Sequence, residues 1–329
     1  MTHSAAIFGP AGLAVTAWEQ SFFRETDPFG FILFARNIDT PDQLRRLTGD
    51  LRDTLGRDAP ILIDQEGGRV QRMRAPHWRE YLPALDQMGR STDPLRAQYL
   101  RYRLIAHELR SVGIDVNCAP LADVAEDATH PFLQNRLYGR DVPTVVAAAR
   151  ACADGLLAGG VLPVLKHIPG HGRARADSHL SLPRVTANAD ELAAQDFAPF
   201  TALRDLPIGM TAHIVFTALD PDNPATTSPV MMKVVRDQIG FDGLLMTDDL
   251  SMQALAGSMS DRATAAIAAG CDLILHCNGE ADEMGQVARA AGAMSDAALT
   301  RANHALALRK APETIDIAAL EAEFNALLT

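Results

Sequence analysis

No apolar run in this 329-residue chain approaches the ~20 residues that a membrane-spanning helix requires. The N-terminus, Met-Thr-His-Ser-Ala-Ala-Ile-Phe-Gly-Pro, lacks the basic region and apolar stretch of a secretory signal. Positive charge is in the minority: 30 Lys and Arg stand against 41 Asp and Glu, a formal charge of −11. With no basic stripe interleaved with aromatics, that balance excludes a nucleic acid or an anionic membrane as the main partner. Cysteine is scarce. Cys118, Cys152, Cys271 and Cys277 are scattered without a CxxC pair and read as buried, reduced thiols. Together these absences point to a cytoplasmic protein.

What remains, 47% apolar and 22% charged residues, is ordinary for a globular protein. The length suits one large domain or two modest ones. Short apolar runs bounded by Gly, Pro and polar residues alternate with segments of helical spacing. Strands are expected at Ala5–Phe8, Gly30–Phe34, Ala59–Ile63, Ile114–Asn117, Val161–Leu165, Pro207–His213, Gly243–Thr247 and Cys271–His276. Between them lie helical stretches such as the one after Thr40-Pro41, where Leu44, Leu47, Leu51 and Leu55 share a face behind an N-cap and an N1 proline. The helix Pro94–Val112 closes at Gly113, Pro143–Ala158 follows, and further helices finish the chain near 281–293, 296–309 and 316–328. Eight strands in unbroken alternation with helices predict a (β/α)8 TIM-type barrel. An open doubly wound sheet is the alternative, but Gly9-Pro-Ala-Gly12 lacks the spacing of a nucleotide-binding turn. No low-complexity linker interrupts the pattern, so a single barrel domain over residues 1–329, with extra C-terminal helices, is expected.

Barrel chemistry gathers where strands end. Here those ends carry Asp64, Asp123, Lys166-His167, His213, Asp248-Asp249 and His276. Neighbours on a strand face opposite ways, so one of Asp248 and Asp249 points into the mouth while the other bonds backbone or caps the next turn. A lone carboxylate at that place suits a nucleophile or a charge stabiliser. The stretch Lys166-His-Ile-Pro-Gly-His-Gly-Arg-Ala-Arg-Ala-Asp-Ser-His179 adds three histidines and an aspartate. Zinc is one reading of His167, His171 and His179. Pro169 and Gly170 break the helical i, i+4 geometry, however, and the first strand has no His-x-His, so no metal is expected. Asp177-Ser-His179 instead offers a carboxylate that orients an imidazole, a general acid/base pair. Ser178 is on no G-x-S-x-G elbow, which disfavours serine nucleophilic catalysis.

Four segments carry a resemblance: Asp64-Gln-Glu-Gly-Gly-Arg-Val-Gln-Arg72, Lys166-His-Ile-Pro-Gly-His-Gly172, Asp177-Ser-His179 and Thr247-Asp-Asp-Leu-Ser-Met252. In this order and spacing the chain resembles glycoside hydrolase family 3, and within it the β-N-acetylglucosaminidases of bacterial cell-wall recycling. Gly30-Phe-Ile-Leu-Phe-Ala-Arg-Asn37 is similar to that family too. The resemblance implies a retaining β-N-acetylhexosaminidase that removes terminal β-linked GlcNAc from peptidoglycan fragments, GlcNAc-1,6-anhydroMurNAc with or without peptide. By position it implies Asp248 as nucleophile, His179 as acid/base and Asp177 as the residue that orients His179. It implies Asp64, Arg72, Arg136, Lys166 and His167 as the residues that hold the sugar. The surroundings of Arg136, Asn-Arg-Leu-Tyr-Gly139, depart from the family's usual Arg-Ser-Phe-Gly.

Expected partners are therefore a saccharide or muropeptide, with no nucleic acid, no membrane and no cofactor, and the protein is expected to be a monomer. A phosphorylase, a broader β-glucosidase and a sugar-binding barrel without catalysis are the alternatives. His171 and Asp249 have no assigned chemistry.

Overall fold

The computed structural model describes residues 3–175 and 181–328, apart from the side chain of Phe132. Asp177, Ser178 and His179 lie outside the described residues. Eight parallel strands close into a barrel in sequential order. They are β1 (Ser4–Phe8), β2 (Pro28–Leu33), β3 (Ile61–Ile63), β4 (Val116–Asn117), β5 (Leu162–Ile168), β6 (Ile208–Thr211), β7 (Leu244–Asp249) and β8 (Leu273–His276). The ring closes where β1 pairs β8, with Ala6, Ile7 and Phe8 opposite Ile274, Leu275 and His276. Strands buried on both sides read as continuous apolar runs rather than alternating ones, which is why they stood out in the sequence.

Helices cover the barrel, and their ends follow local chemistry. Thr40 accepts a hydrogen bond from the Gln43 N–H and Pro41 occupies the first position of Pro41–Leu55, whose Leu44, Leu47 and Leu51 are buried. The long helices Pro94–Ser111 and Val142–Ala158 pack against each other. The last helix, Ile317–Leu327, lies on the first of that pair through buried Phe324. No helix among the described residues is long and apolar enough to cross a membrane. All four cysteines are buried and free.

Three local features depart from the expected outline. First, β5 continues through Lys166, His167 and Ile168 and stops at Pro169, with Leu121 bridging Lys166 on one side and Thr211 of β6 pairing Ile168 on the other. Second, the segment after β3 forms a small antiparallel hairpin, Gln65–Gly67 with Val70–Gln71, outside the eight barrel strands. Third, the helical segments starting at Ala189 and Pro229 each include a π-helical turn, Leu192–Asp196 and Val234–Gln238.

Candidate active site

Of the strand-end polar groups, Asp64, Lys166, His167, Asp248 and Asp249 line a cavity of ≈ 290 Å³ at the C-terminal mouth of the barrel, whereas Asp123, His213 and His276 are not in its wall. Its wall includes Asp64, Arg72, Arg136, Lys166, His167 and Asp248, so every sugar-holding residue and the nucleophile expected from the sequence meet there. The chain thus brings together groups up to 184 residues apart, the interval from Asp64 to Asp248.

One side of the cavity is a charged lattice. Asp64 accepts hydrogen bonds from Lys166 Nζ at 3.0 Å and from Arg72 at 2.9 Å. Behind it Glu66, almost fully buried, takes Lys166 Nζ at 2.7 Å and grips Arg136 through both oxygens at 2.8 and 2.9 Å. Burial alone would push both carboxyls up, but Lys166 and Arg72 hold Asp64, and Arg136 and Lys166 hold Glu66, well below the usual carboxylate range. Burial would likewise neutralise Lys166, yet Asp64 and Glu66 raise its affinity for the proton above the ordinary value. The five groups therefore stay charged and stand in fixed directions before any ligand arrives, as paired buried charges must.

The hairpin positions Arg72. The Gln65 side-chain carbonyl accepts from the Arg72 and Met73 N–H groups, and its amide donates to the Met73 carbonyl. The Asn117 side chain at the end of β4 ties down the Gln65 backbone at both its N–H and its carbonyl. The Arg72 guanidinium also lies 5.2 Å from the centroid of the Phe34 ring, a cation–π contact.

At the opposite side β7 delivers Asp248 and Asp249. Asp249 is committed: its carboxylate accepts from the Ser251 N–H, the Ser251 hydroxyl and the Cys277 N–H. This is the backbone-bonding role expected for one of the two, although both side chains border the cavity. Among the described residues the Asp248 carboxylate takes a single hydrogen bond, at 2.8 Å, from the Asp249 N–H. Burial pushes its carboxyl up, and His167, His213, the Asp249 N–H and Lys166 outweigh that push, so the group is ionised and available.

The histidines are sorted by their partners. His167 Nδ1 lies 2.8 Å from Asp123 Oδ2. His213 bridges Thr226 Oγ1 at 2.7 Å and the Asp249 carbonyl at 3.0 Å, which fixes the backbone beside Asp248. The His171 ring borders the cavity, and its buried Nδ1 has no hydrogen-bond partner among the described residues. Burial and the charge of His167 lower its pKa to about 4, so it is neutral at pH 7. Its backbone supports the turn, donating to Asp123 and accepting from the Ala174 N–H. Among the described residues no three His, Cys, Asp or Glu side chains are grouped to hold a metal ion.

Reading the sequence left Glu66 without a role. Its signal was its place two residues after Asp64 in the quoted motif, but its partners are 70 and 100 residues further on. Two glycines shape the exit from β5. Gly170 has φ +141°, and a Cβ at Gly172 would stand 1.9 Å from the Val124 carbonyl oxygen. A side chain at either place would push the loop away from the mouth.

The sequence profile described as the glycosyl hydrolase family 3 N terminal domain matches residues 19–308. A beta-hexosaminidase of Methylococcus capsulatus is 38% identical over 281 residues, 83% of this chain and 82% of that protein. The crystal structure of NagZ from Neisseria gonorrhoeae in complex with N-trifluoroacetyl-D-glucosamine matches with a TM-score of 0.86 at 29% identity, covering 100% of this chain and 99% of that one. A family 3 beta-N-acetylglucosaminidase from Paenibacillus sp. FPU-7 matches with a TM-score of 0.86 at 28% identity, over 97% of this chain and 66% of its own length. A profile spanning most of the barrel, a relative of this identity and the motif residues gathered in one cavity have a common conclusion: the chain belongs to glycosyl hydrolase family 3.

Proposed function

We propose that the protein is a retaining β-N-acetylglucosaminidase acting on peptidoglycan fragments that end in β-linked GlcNAc. The observation that carries this reading is Asp248, an ionised strand-end carboxylate with one hydrogen bond, facing the Asp64–Lys166–Arg136 lattice across a sugar-sized cavity. The lattice suits neutral hydroxyls and an acetamide, since its fixed donors and acceptors give charge-assisted hydrogen bonds without reorganising.

In the first step an Asp248 oxygen forms a bond to the anomeric carbon as the bond to the aglycone oxygen breaks. His179, as the imidazolium, passes its proton to that oxygen, and Asp177 holds the ring. In the second step neutral His179 takes a proton from water, the water oxygen displaces Asp248, and the sugar leaves with its original configuration. The roles of His179 and Asp177 rest on the sequence motif. Beta-hexosaminidase relatives and a relative solved with an N-acetylglucosamine analogue support the choice of sugar.

Paired 4-nitrophenyl β-N-acetylglucosaminide and β-glucoside test the reading. Release from the first, independent of added phosphate and far faster than from the second, is expected. Equal rates, or a sugar 1-phosphate as product, would contradict it. The acid role has its own signature. His179→Ala is expected to cost about 10²–10⁴-fold on an unactivated disaccharide. An aryl group that departs without protonation should lose at least about tenfold less. Equal losses on both would remove His179 from that role.

A further inference from the structure

Asp123 stands just past β4, almost fully buried, and is not part of the cavity wall. Three N–H groups converge on its two oxygens. Oδ2 lies 2.8 Å from His167 Nδ1, the His167 backbone N–H reaches both oxygens at 3.3 and 3.4 Å, and the His171 backbone N–H reaches Oδ1 at 2.6 Å. A carboxylate is acceptor-only and can serve all three donors. An imidazole that donates from Nδ1 turns Nε2 away from Asp123, and the His167 ring borders the cavity.

The same carboxylate begins a row of ties between the residues after β4 and the exit of β5. The Ala122 N–H donates to the Lys166 carbonyl at 2.8 Å. The Thr129 hydroxyl donates to the Gly172 carbonyl at 2.6 Å, and the His130 N–H to the Ala174 carbonyl at 3.0 Å. Arg173 bonds Glu126 and Asp196, each at 2.8 Å. Asp123 touches both the cavity histidine His167 and, through the His171 N–H, the chain that leads on toward Asp177 and His179.

We propose that Asp123 is a positioning residue of the glycosidase: one carboxylate aims the His167 ring at the sugar and anchors the first turn of the segment that carries the acid/base pair. The inference rests on the glycosidase reading above. It adds that sugar binding and proton delivery share a buried anchor.

Asp123→Asn is the discriminating variant. An amide offers one acceptor oxygen, and its NH2 must face one of the three donors, so either the ring or the turn loses its partner. The expected result is a fall in kcat/KM of about 10²-fold, the upper size of effect for residues that orient a functional histidine from behind. KM should rise as His167 loosens, and kcat should fall more for an unactivated disaccharide than for the 4-nitrophenyl glycoside. A role confined to packing would lower the melting temperature and leave both constants of the folded enzyme unchanged; that result overturns the proposal.

The wild-type protein supplies a second measurement in case the variant fails to fold. Long-range proton–nitrogen spectra of histidine-labelled enzyme, with the His167 signal identified by its loss in His167→Asn, should show Nδ1 of His167 protonated. A bare Nδ1 with the proton on Nε2 overturns the proposal without reference to activity. A wild type inert toward every β-N-acetylglucosaminide would instead defeat the glycosidase reading, and the spectra would still stand.

Discussion

Asp248→Ala is expected to reduce turnover of a β-N-acetylglucosaminide by roughly 10⁴-fold or more, as removal of a covalent nucleophile does elsewhere. That loss corresponds to at least ~5 kcal/mol of transition-state stabilisation. The fold should survive, because the Asp248 carboxylate makes one hydrogen bond, to the adjacent Asp249 N–H, and removing it breaks no buried ion pair. Azide, small enough to enter the vacated space, should restore release and yield a glycosyl azide of opposite anomeric configuration. Turnover within about tenfold of wild type would assign the nucleophile elsewhere, since a bystander carboxylate contributes only a share of the barrier. Asp249→Ala would fail differently. Its carboxylate holds Ser251 and Cys277 and so shapes the end of the barrel.

The largest stability effect is expected at Glu66. Glu66→Gln keeps the shape but removes the charge that Lys166 and Arg136 share. Breaking a buried pair by neutralising one partner costs about 3–5 kcal/mol, because the remaining charge stays desolvated. For a chain of this size, at roughly 2 °C per kcal/mol, the melting temperature should fall by about 6–10 °C. KM should rise as well, since Lys166 and Arg136 border the cavity. The exposed pair Arg96–Glu323, with both side chains 43% accessible, is the control. Arg96→Ala should cost under about 1 kcal/mol because water and salt screen the charges. Calorimetry on the two variants compares them directly; a Glu66→Gln melting point within about 1 °C of wild type would contradict the lattice's structural weight.

Much of the fold was legible because parallel barrel strands are short apolar runs between helix caps. Thr40-Pro41 and the leucines after it, or Gly113 with its φ of +80° after Pro94–Ser111, show how local chemistry marks the ends of elements. Strand ends were less legible. Lys166 and His167 stood at the strand end, just past the apolar run that stops at Leu165, whereas the strand runs on through them to Ile168, bridged by Leu121 at Lys166 and by β6 at Ile168. Within the site, single groups at strand ends could be picked out one by one, and their meeting in one cavity follows from barrel closure. Pairing could not be read. Glu66 beside Arg136, and Asp123 beside both His167 and His171, depend on contacts across 70, 44 and 48 residues that no local pattern encodes. His171 shows the converse. Its spacing suggested a metal ligand, whereas its ring is a buried neutral imidazole and its backbone carries the turn.

The proposed chemistry is a double displacement at the anomeric carbon through Asp248. Proton NMR of the first sugar released from 4-nitrophenyl N-acetyl-β-D-glucosaminide, followed before mutarotation, tests it most directly. The β anomer of N-acetylglucosamine should appear first and the α anomer only later, by spontaneous equilibration. Initial appearance of the α anomer would mean a single inverting displacement, with no glycosyl-enzyme on Asp248.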